Sequence, residues 1–173
     1  MISRKENILN SALKLFAEQG FRATTTSQIS SHAGVSEALI FRHYKNKEGL
    51  LQAILTHAKD KIQQLVDHFR LEKDPKQRLR TMLEYPFQHT PENEEYWLLL
   101  MKIKWELNMT ADQKMEPVQD ILTETFEELG IPHAKQEADF LTHYIEGLNS
   151  AILRKEVIEE KETKDFLFRK YNL

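Results

Sequence analysis

The chain has 173 residues, 40% apolar and 29% charged, which is long enough for a buried core and too ordinary a mixture for disorder. It contains no cysteine, which excludes a disulfide scaffold and thiolate chemistry and suits a reducing cytoplasm. The net charge of −3 hides a division: residues 1–70 hold ten Lys and Arg against six Asp and Glu, and residues 71–173 hold fourteen against twenty-one. The basic charge that a polyanion could meet is therefore N-terminal. The first residues are charged, and the longest apolar run, Tyr96 to Met101, is far short of the ~20 residues of a membrane span. A soluble cytoplasmic protein with no membrane partner is expected. Strand-like runs of Val, Ile and Thr are absent and helix formers dominate, so the fold class expected is all-α.

Ser3 and Glu6 form a capping box that opens the first helix, Ile8, Leu9, Ala12, Leu13, Leu15 and Phe16 follow at helical spacing, and Gly20 supplies the stop. Thr24 or Thr25 caps a short second helix carrying Ile29 and Ala33. Gly34-Val35 breaks it, and Ser36 caps a third helix that runs through Tyr44. Asn46 caps a long fourth helix whose apolar stripe extends from Leu50 to Phe69. A domain boundary is expected at Leu71–Pro75, with Asp74 as cap and Pro75 in the first turn of the next helix. Further helices are expected at about 75–88, 92–109, 112–129, 134–155 and 162–171.

The most informative stretch is residues 25–44. It reads as two short helices joined by a turn at Ala33-Gly34-Val35-Ser36. Ala33 lets the helices cross closely, Gly34 takes the unusual backbone angles, and Ile29 and Ile40 face inward. That is the helix-turn-helix arrangement, whose second helix lies in the major groove of DNA. Its outward face comprises Ser36, Glu37, Ala38, Leu39, Arg42 and His43.

At these residues the chain resembles the TetR family of bacterial transcriptional regulators. The resemblance covers residues 3–62: the Ile8–Phe16 pattern with Gly20, the Thr24-Thr25 pair, Ile29, Ala33-Gly34-Val35-Ser36, Phe41-Arg42-His43-Tyr44 and Lys47-Glu48-Gly49-Leu50-Leu51. It implies a helix-turn-helix DNA-binding domain over 3–62. A long fourth helix would join it to a helical ligand-binding and dimerisation domain over 71–173. It further implies that Thr25, Thr26 and Lys47 grip phosphate, that Ser36 and His43 touch the backbone, and that Glu37, Ala38, Leu39 and Arg42 face base edges. Arg42 suits guanine, and Leu39 suits a thymine methyl. Phe41 stands where the family commonly has Tyr, which removes a hydroxyl contact. Gly49 stands where a Glu often closes a capping box, and Glu37 can accept from cytosine but repels phosphate.

In the C-terminal part Trp97, Met101 and Trp105 fall on one helix face at i, i+4 and i+8. The resemblance makes them the lining of a cavity for a small-molecule effector, with Tyr85 and His143 as further lining residues; an ordinary core stripe is the alternative. Phe126, Phe140, Tyr144, Gly147 and Ile152 lie on two consecutive helices that relatives pair across a homodimer interface. Gly147 in mid-helix costs ~1 kcal/mol relative to Ala, which a close neighbouring helix would explain. A dimer also doubles the contacts on a palindromic operator.

No nucleophile–base arrangement and no phosphate-cradling glycine loop is present, so no enzyme and no cofactor are expected. His143 with Glu146, and His133 with Glu137, are too few for a di-metal bundle. The rival reading is a ligand- or metal-binding helical bundle with a vestigial helix-turn-helix. The function expected is a DNA-binding transcriptional regulator, a ligand-responsive repressor acting as a homodimer.

Overall fold

The computed structural model describes residues 3–88, 91–107 and 116–173, and within residues 91–106 it describes the side chains at 94, 97–102 and 106. Among the described residues all regular structure is helical. The helices are α1 (Arg4–Gln19), α2 (Thr26–Ala33), α3 (Glu37–Tyr44), α4 (Lys47–Leu71), α5 (Pro75–Glu84), α6 (Pro91–Glu106), α7 (Glu116–Glu128), α8 (Ala134–Leu153) and α9 (Glu160–Lys170), with a 3-10 turn at Tyr85–Phe87 after α5. None of the described helices is long and apolar enough to cross a membrane.

The helix ends follow from local chemistry. Ser3 and Glu6 close a capping box on α1, and Thr25 and Gln28 close another on α2. Gly34 ends α2 in the left-handed conformation, φ 64° and ψ 35°, which a residue without Cβ adopts at no steric cost. Asp74 accepts the amide of Lys76, and Pro75 occupies the first position of α5.

The described residues form two compact units, 3–60 with 91–107 and 61–88 with 116–173. The first is built on α1, α2, α3, the N-terminal half of α4, and α6. Phe16, Ile8, Ile29, Ile40, Leu50 and Ile54 are buried at its centre, and Leu99 of α6 is fully buried in the same cluster. Phe16 and Phe21 pack edge to face at 5.2 Å. The sequence assigned α6 to the C-terminal domain by chain order; its packing places it with the N-terminal helices, because Leu99 buries there and not elsewhere.

The second unit contains the rest of α4 with α5, α7, α8 and α9. Its core includes Val66, Phe69, Leu79, Leu83, Ile121, Phe126, Leu141 and Leu167. The buried guanidinium of Arg78 joins α5 to α7 through Thr125 Oγ1 (2.8 Å) and Glu128 Oε2 (2.6 Å). The end of α9 docks through Tyr171, which stacks on Phe126 at 5.4 Å and donates its hydroxyl to Glu137 Oε1 at 2.8 Å.

Candidate nucleic-acid interface

The candidate interface is the outer surface of α2 and α3. On α3, Ile40 and Tyr44 point into the core, and the Tyr44 hydroxyl donates to the carbonyl of Lys5 at 3.0 Å, fixing the helix against α1. Burial pushes the Tyr44 phenol up to about 12, so it remains a donor throughout the neutral range. Asn7 ties α1 to the end of α2 through its amide bond to the carbonyl of Ala33, 2.8 Å. His32 Nδ1 lies 3.0 Å from Ser11 Oγ on the same seam.

With the core face so anchored, Ser36, Ala38, Phe41, Arg42 and His43 are exposed and Leu39 is half-buried. Phe41 keeps 48% of its surface, so it is no core residue. The Ser36 side chain makes no capping bond to α3. At 100° per residue, Ala38 and Arg42 lie opposite Ile40 and Tyr44, and Leu39 flanks them. This is the surface that a groove would meet.

Glu37 is turned otherwise. It shares the side of α3 that carries Ile40 and Tyr44, is half-buried, and accepts a short hydrogen bond from the Thr26 hydroxyl. The Thr25 hydroxyl lies 3.0 Å from Gln28 Oε1 and accepts the Gln28 amide at 3.2 Å. Both threonine hydroxyls are thus engaged within the domain, and Glu37 ties α3 to α2 instead of facing outward with Arg42.

Lys47 is half-buried. Its ammonium donates to the carbonyls of Phe21 (2.9 Å), Arg22 (3.4 Å) and Thr24 (2.9 Å) and sits 4.5 Å from the Phe21 ring centre. It therefore braces the turn between α1 and α2. Gly49 donates its amide to Asn46 Oδ1 at 2.8 Å, which caps α4. A Cβ at Gly49 would stand 1.9 Å from the carbonyl oxygen of Tyr44, so the glycine is a steric requirement of this turn.

Sequence reasoning missed Glu106 and Lys102. Glu106 accepts the amides of Phe21 (2.9 Å) and Arg22 (2.5 Å), and Lys102 donates to the carbonyl of Glu18 at 2.7 Å. The partners are 84 or 85 positions away in sequence, so no local pattern signals them.

The geometry has a counterpart among known proteins. Residues 8–54 match the profile of the bacterial regulatory proteins of the tetR family. Over these residues the chain is similar to the tetR family. It is 51% identical over 51 residues to the helix-turn-helix transcriptional regulator YvkB of Bacillus subtilis, covering 30% of this chain and 27% of that one. It is 29% identical over 97 residues to the transcriptional repressor NicS of Pseudomonas putida, covering 56% and 46%. The chain spans less than half the length of these curated relatives. A TetR transcriptional regulator from Legionella pneumophila has the same fold, with a TM-score of 0.79 and 19% identity over 98% of each chain. These tetR-family relatives are named as regulators of transcription, not as enzymes.

Of the residues assigned to an effector, Trp97 and Met101 lie half-buried on α6 in the first unit, and the Trp105 side chain lies outside the described residues. In the second unit Tyr85 packs edge-on to Phe69 at 5.9 Å, and burial raises its phenol above the usual value. His143 is exposed on α8, with Nδ1 2.8 Å from the carbonyl oxygen of Asp139. An open depression of about 260 Å³ beside His68, Phe69, Leu71, Glu72 and Thr81 contains none of them.

Of the residues assigned to a dimer, Phe126 is fully buried in its own unit against Tyr171, so its side chain is consumed by the core. Phe140, 56% exposed, stands on α8 at i, i+4 and i+7 with half-buried Tyr144 and exposed Gly147, and Ile152 is half-buried further along. Among the described residues, and apart from the neighbouring backbone of α8 itself, nothing lies within 4 Å of a Cβ built on Gly147. Among the described residues no group of three His, Asp or Glu side chains could hold a metal ion. Glu137, which the rival reading pairs with His133, is bound instead by Lys170 at 2.6 Å and by Tyr171.

Proposed function

We propose that the chain is a DNA-binding transcriptional regulator, a repressor that acts as a homodimer on a palindromic operator and is released by a small-molecule effector. The observation that carries this reading is the surface of α3. Ile40 and Tyr44 fasten one side of the helix, while Ala38 and Arg42 remain open on the other and His43 is exposed at the flank. A helix so held offers Arg42 to the O6 and N7 acceptors of a guanine in the major groove, and Leu39 to a thymine methyl. Phosphates would be met by His43, Ser36 and the N-terminal amides of α2, since the Thr25 and Thr26 hydroxyls are engaged within the domain.

The dimer is supported by the stripe of Phe140, Tyr144 and Gly147 on α8, where apolar surface and an open glycine suit a close second helix. Two reading heads ~34–36 Å apart would then meet successive turns of the duplex. Repression follows the relative named as a repressor. An effector that contacts Trp97 or Met101 would act by displacing α6, the helix that carries them. It shifts the equilibrium only to the extent that it binds the released state better.

The test is a gel shift of the full chain on the DNA upstream of its own gene, across a salt series. A regulator that neutralises several phosphates loses affinity steeply, with a log–log slope of about −0.9 per phosphate contact. Weak binding with no preference over unrelated DNA would favour the helical-bundle reading.

A further inference from the structure

Opposite charges hold the turn between α1 and α2 from two sides. On one side the Glu106 carboxylate accepts the amides of Phe21 and Arg22 at 2.9 and 2.5 Å. On the other, the Lys47 ammonium takes the carbonyls of Phe21, Arg22 and Thr24. The peptide units of the turn direct N–H ends to the anion and C=O ends to the cation, so the same dipoles stabilise both charges.

The close approach needs Gly20. Its φ of 89° is a glycine conformation, and a Cβ there would stand 3.2 Å from Glu106 Oε2. The hold also comes from one stripe of α6, because Leu99, Lys102 and Glu106 lie at i, i+3 and i+7. Leu99 is buried against the N-terminal helices, Lys102 takes the Glu18 carbonyl at the end of α1, and Glu106 takes the turn. The held segment leads into Thr24, whose hydroxyl is 2.8 Å from the Gly20 carbonyl oxygen, and then into Thr25, the cap of α2.

We propose that Glu106 is a positioning residue for DNA reading: through its two hydrogen bonds it fixes the turn between α1 and α2, and with it the pose of α2. The inference rests on the regulator reading above and adds a residue outside α2 and α3 on which the reading surface depends. α2 in turn is tied to α3 by the Thr26–Glu37 bond, so the pose passes from Glu106 to the helix carrying Arg42.

The experiment compares the full-length wild type with Glu106→Gln and Glu106→Ala. It measures hydrogen exchange of the Phe21 and Arg22 amides and affinity for the duplex that wild type selects most strongly from a randomised library. In Glu106→Ala both amides exchange about tenfold faster or more, and the duplex binds about tenfold more weakly, the loss expected of hydrogen bonds to a charged acceptor. Glu106→Gln falls between, since its amide keeps one acceptor oxygen and turns a donor toward the second N–H. Amides in the middle of α1, whose Ile8, Ala12 and Phe16 lie in the core of the same unit, serve as the folding control and stay protected. Should Glu106→Ala fail this control, the Gln variant decides by the same two readouts.

Faster amide exchange with unchanged duplex affinity and base preference would overturn the positioning role and leave Glu106 a local brace. Unchanged exchange would overturn the contact itself. A wild type that selects no duplex would instead remove the regulator reading, and the inference with it, whatever the amides do.

Discussion

Gly49 illustrates how one missing atom decides a turn. Alanine is the better helix former by ~1 kcal/mol, so propensity alone favours replacing Gly49. The steric term points the other way, because the added Cβ would meet the Tyr44 carbonyl oxygen at 1.9 Å. Relieving such an overlap costs roughly 1–3 kcal/mol, so Gly49→Ala should lower the unfolding free energy by about that amount. Chemical denaturation measures it; a variant as stable as wild type would show that the turn yields without cost. Lys47 teaches a related lesson at the same place. A lysine at the start of a helix in a DNA-binding domain invites a phosphate contact, yet its three carbonyl partners make it a brace for the preceding turn. Glu37 likewise is held by Thr26 as a tie between two helices, while Arg42 stays exposed.

Among the elements, α9 depends on a single acidic residue for much of its polar anchorage. Glu137 on α8 meets Lys170 Nζ at 2.6 Å and the Tyr171 hydroxyl at 2.8 Å. Burial pushes its carboxyl up, but the hydrogen bonds from Lys170 and Tyr171 outweigh this and hold it below its usual 4.5. A folded-state value below the unfolded one means that the stabilisation is present above 4.5 and is lost as pH falls through the folded value. Acidification below 4.5 should therefore loosen α9, and Glu137→Gln should remove that pH dependence. Hydrogen exchange of the α9 amides against pH reads this directly; identical acid profiles for the two proteins would contradict it.

The elements were largely readable in the sequence because their ends are local. Ser3 with Glu6, and Asp74 before Pro75, satisfy helix amides within three residues, and of the two threonines read as a cap it is Thr25 that caps α2; Ser36, read as the cap of α3, makes no such side-chain bond. Gly34 is legible for the same reason, since its left-handed φ is a property of one residue. The exposed Ala38–Arg42 surface also follows from spacing once Ile40 and Tyr44 are taken as the inner face. Contacts closed across the chain were not readable. The Glu106 amide bonds and the Lys47 brace depend on which segments fold together. Phe126 shows the limit of helical periodicity, which marks an apolar face but does not say whether it meets the chain's own core or a second chain.

At the scale of the whole molecule, chain order and packing divide the protein differently. By order, α6 follows the long α4 and belongs to a C-terminal domain. By packing, its Leu99, Lys102 and Glu106 complete the N-terminal unit. The charge division supports the same assignment of roles, with the excess of Lys and Arg confined to residues 1–70 and an acid-rich remainder that phosphate repels.

The central claim is that α3 reads base edges through Arg42. Its most direct test is selection from a randomised duplex library, performed in parallel with wild type and with Arg42→Ala. Wild type should enrich a palindrome with a guanine at one fixed position of each half-site. Arg42→Ala should lose that guanine preference alone, at a cost of about 1–3 kcal/mol for the site. Enrichment of the same sequence by both proteins, or of none by wild type, would contradict the account.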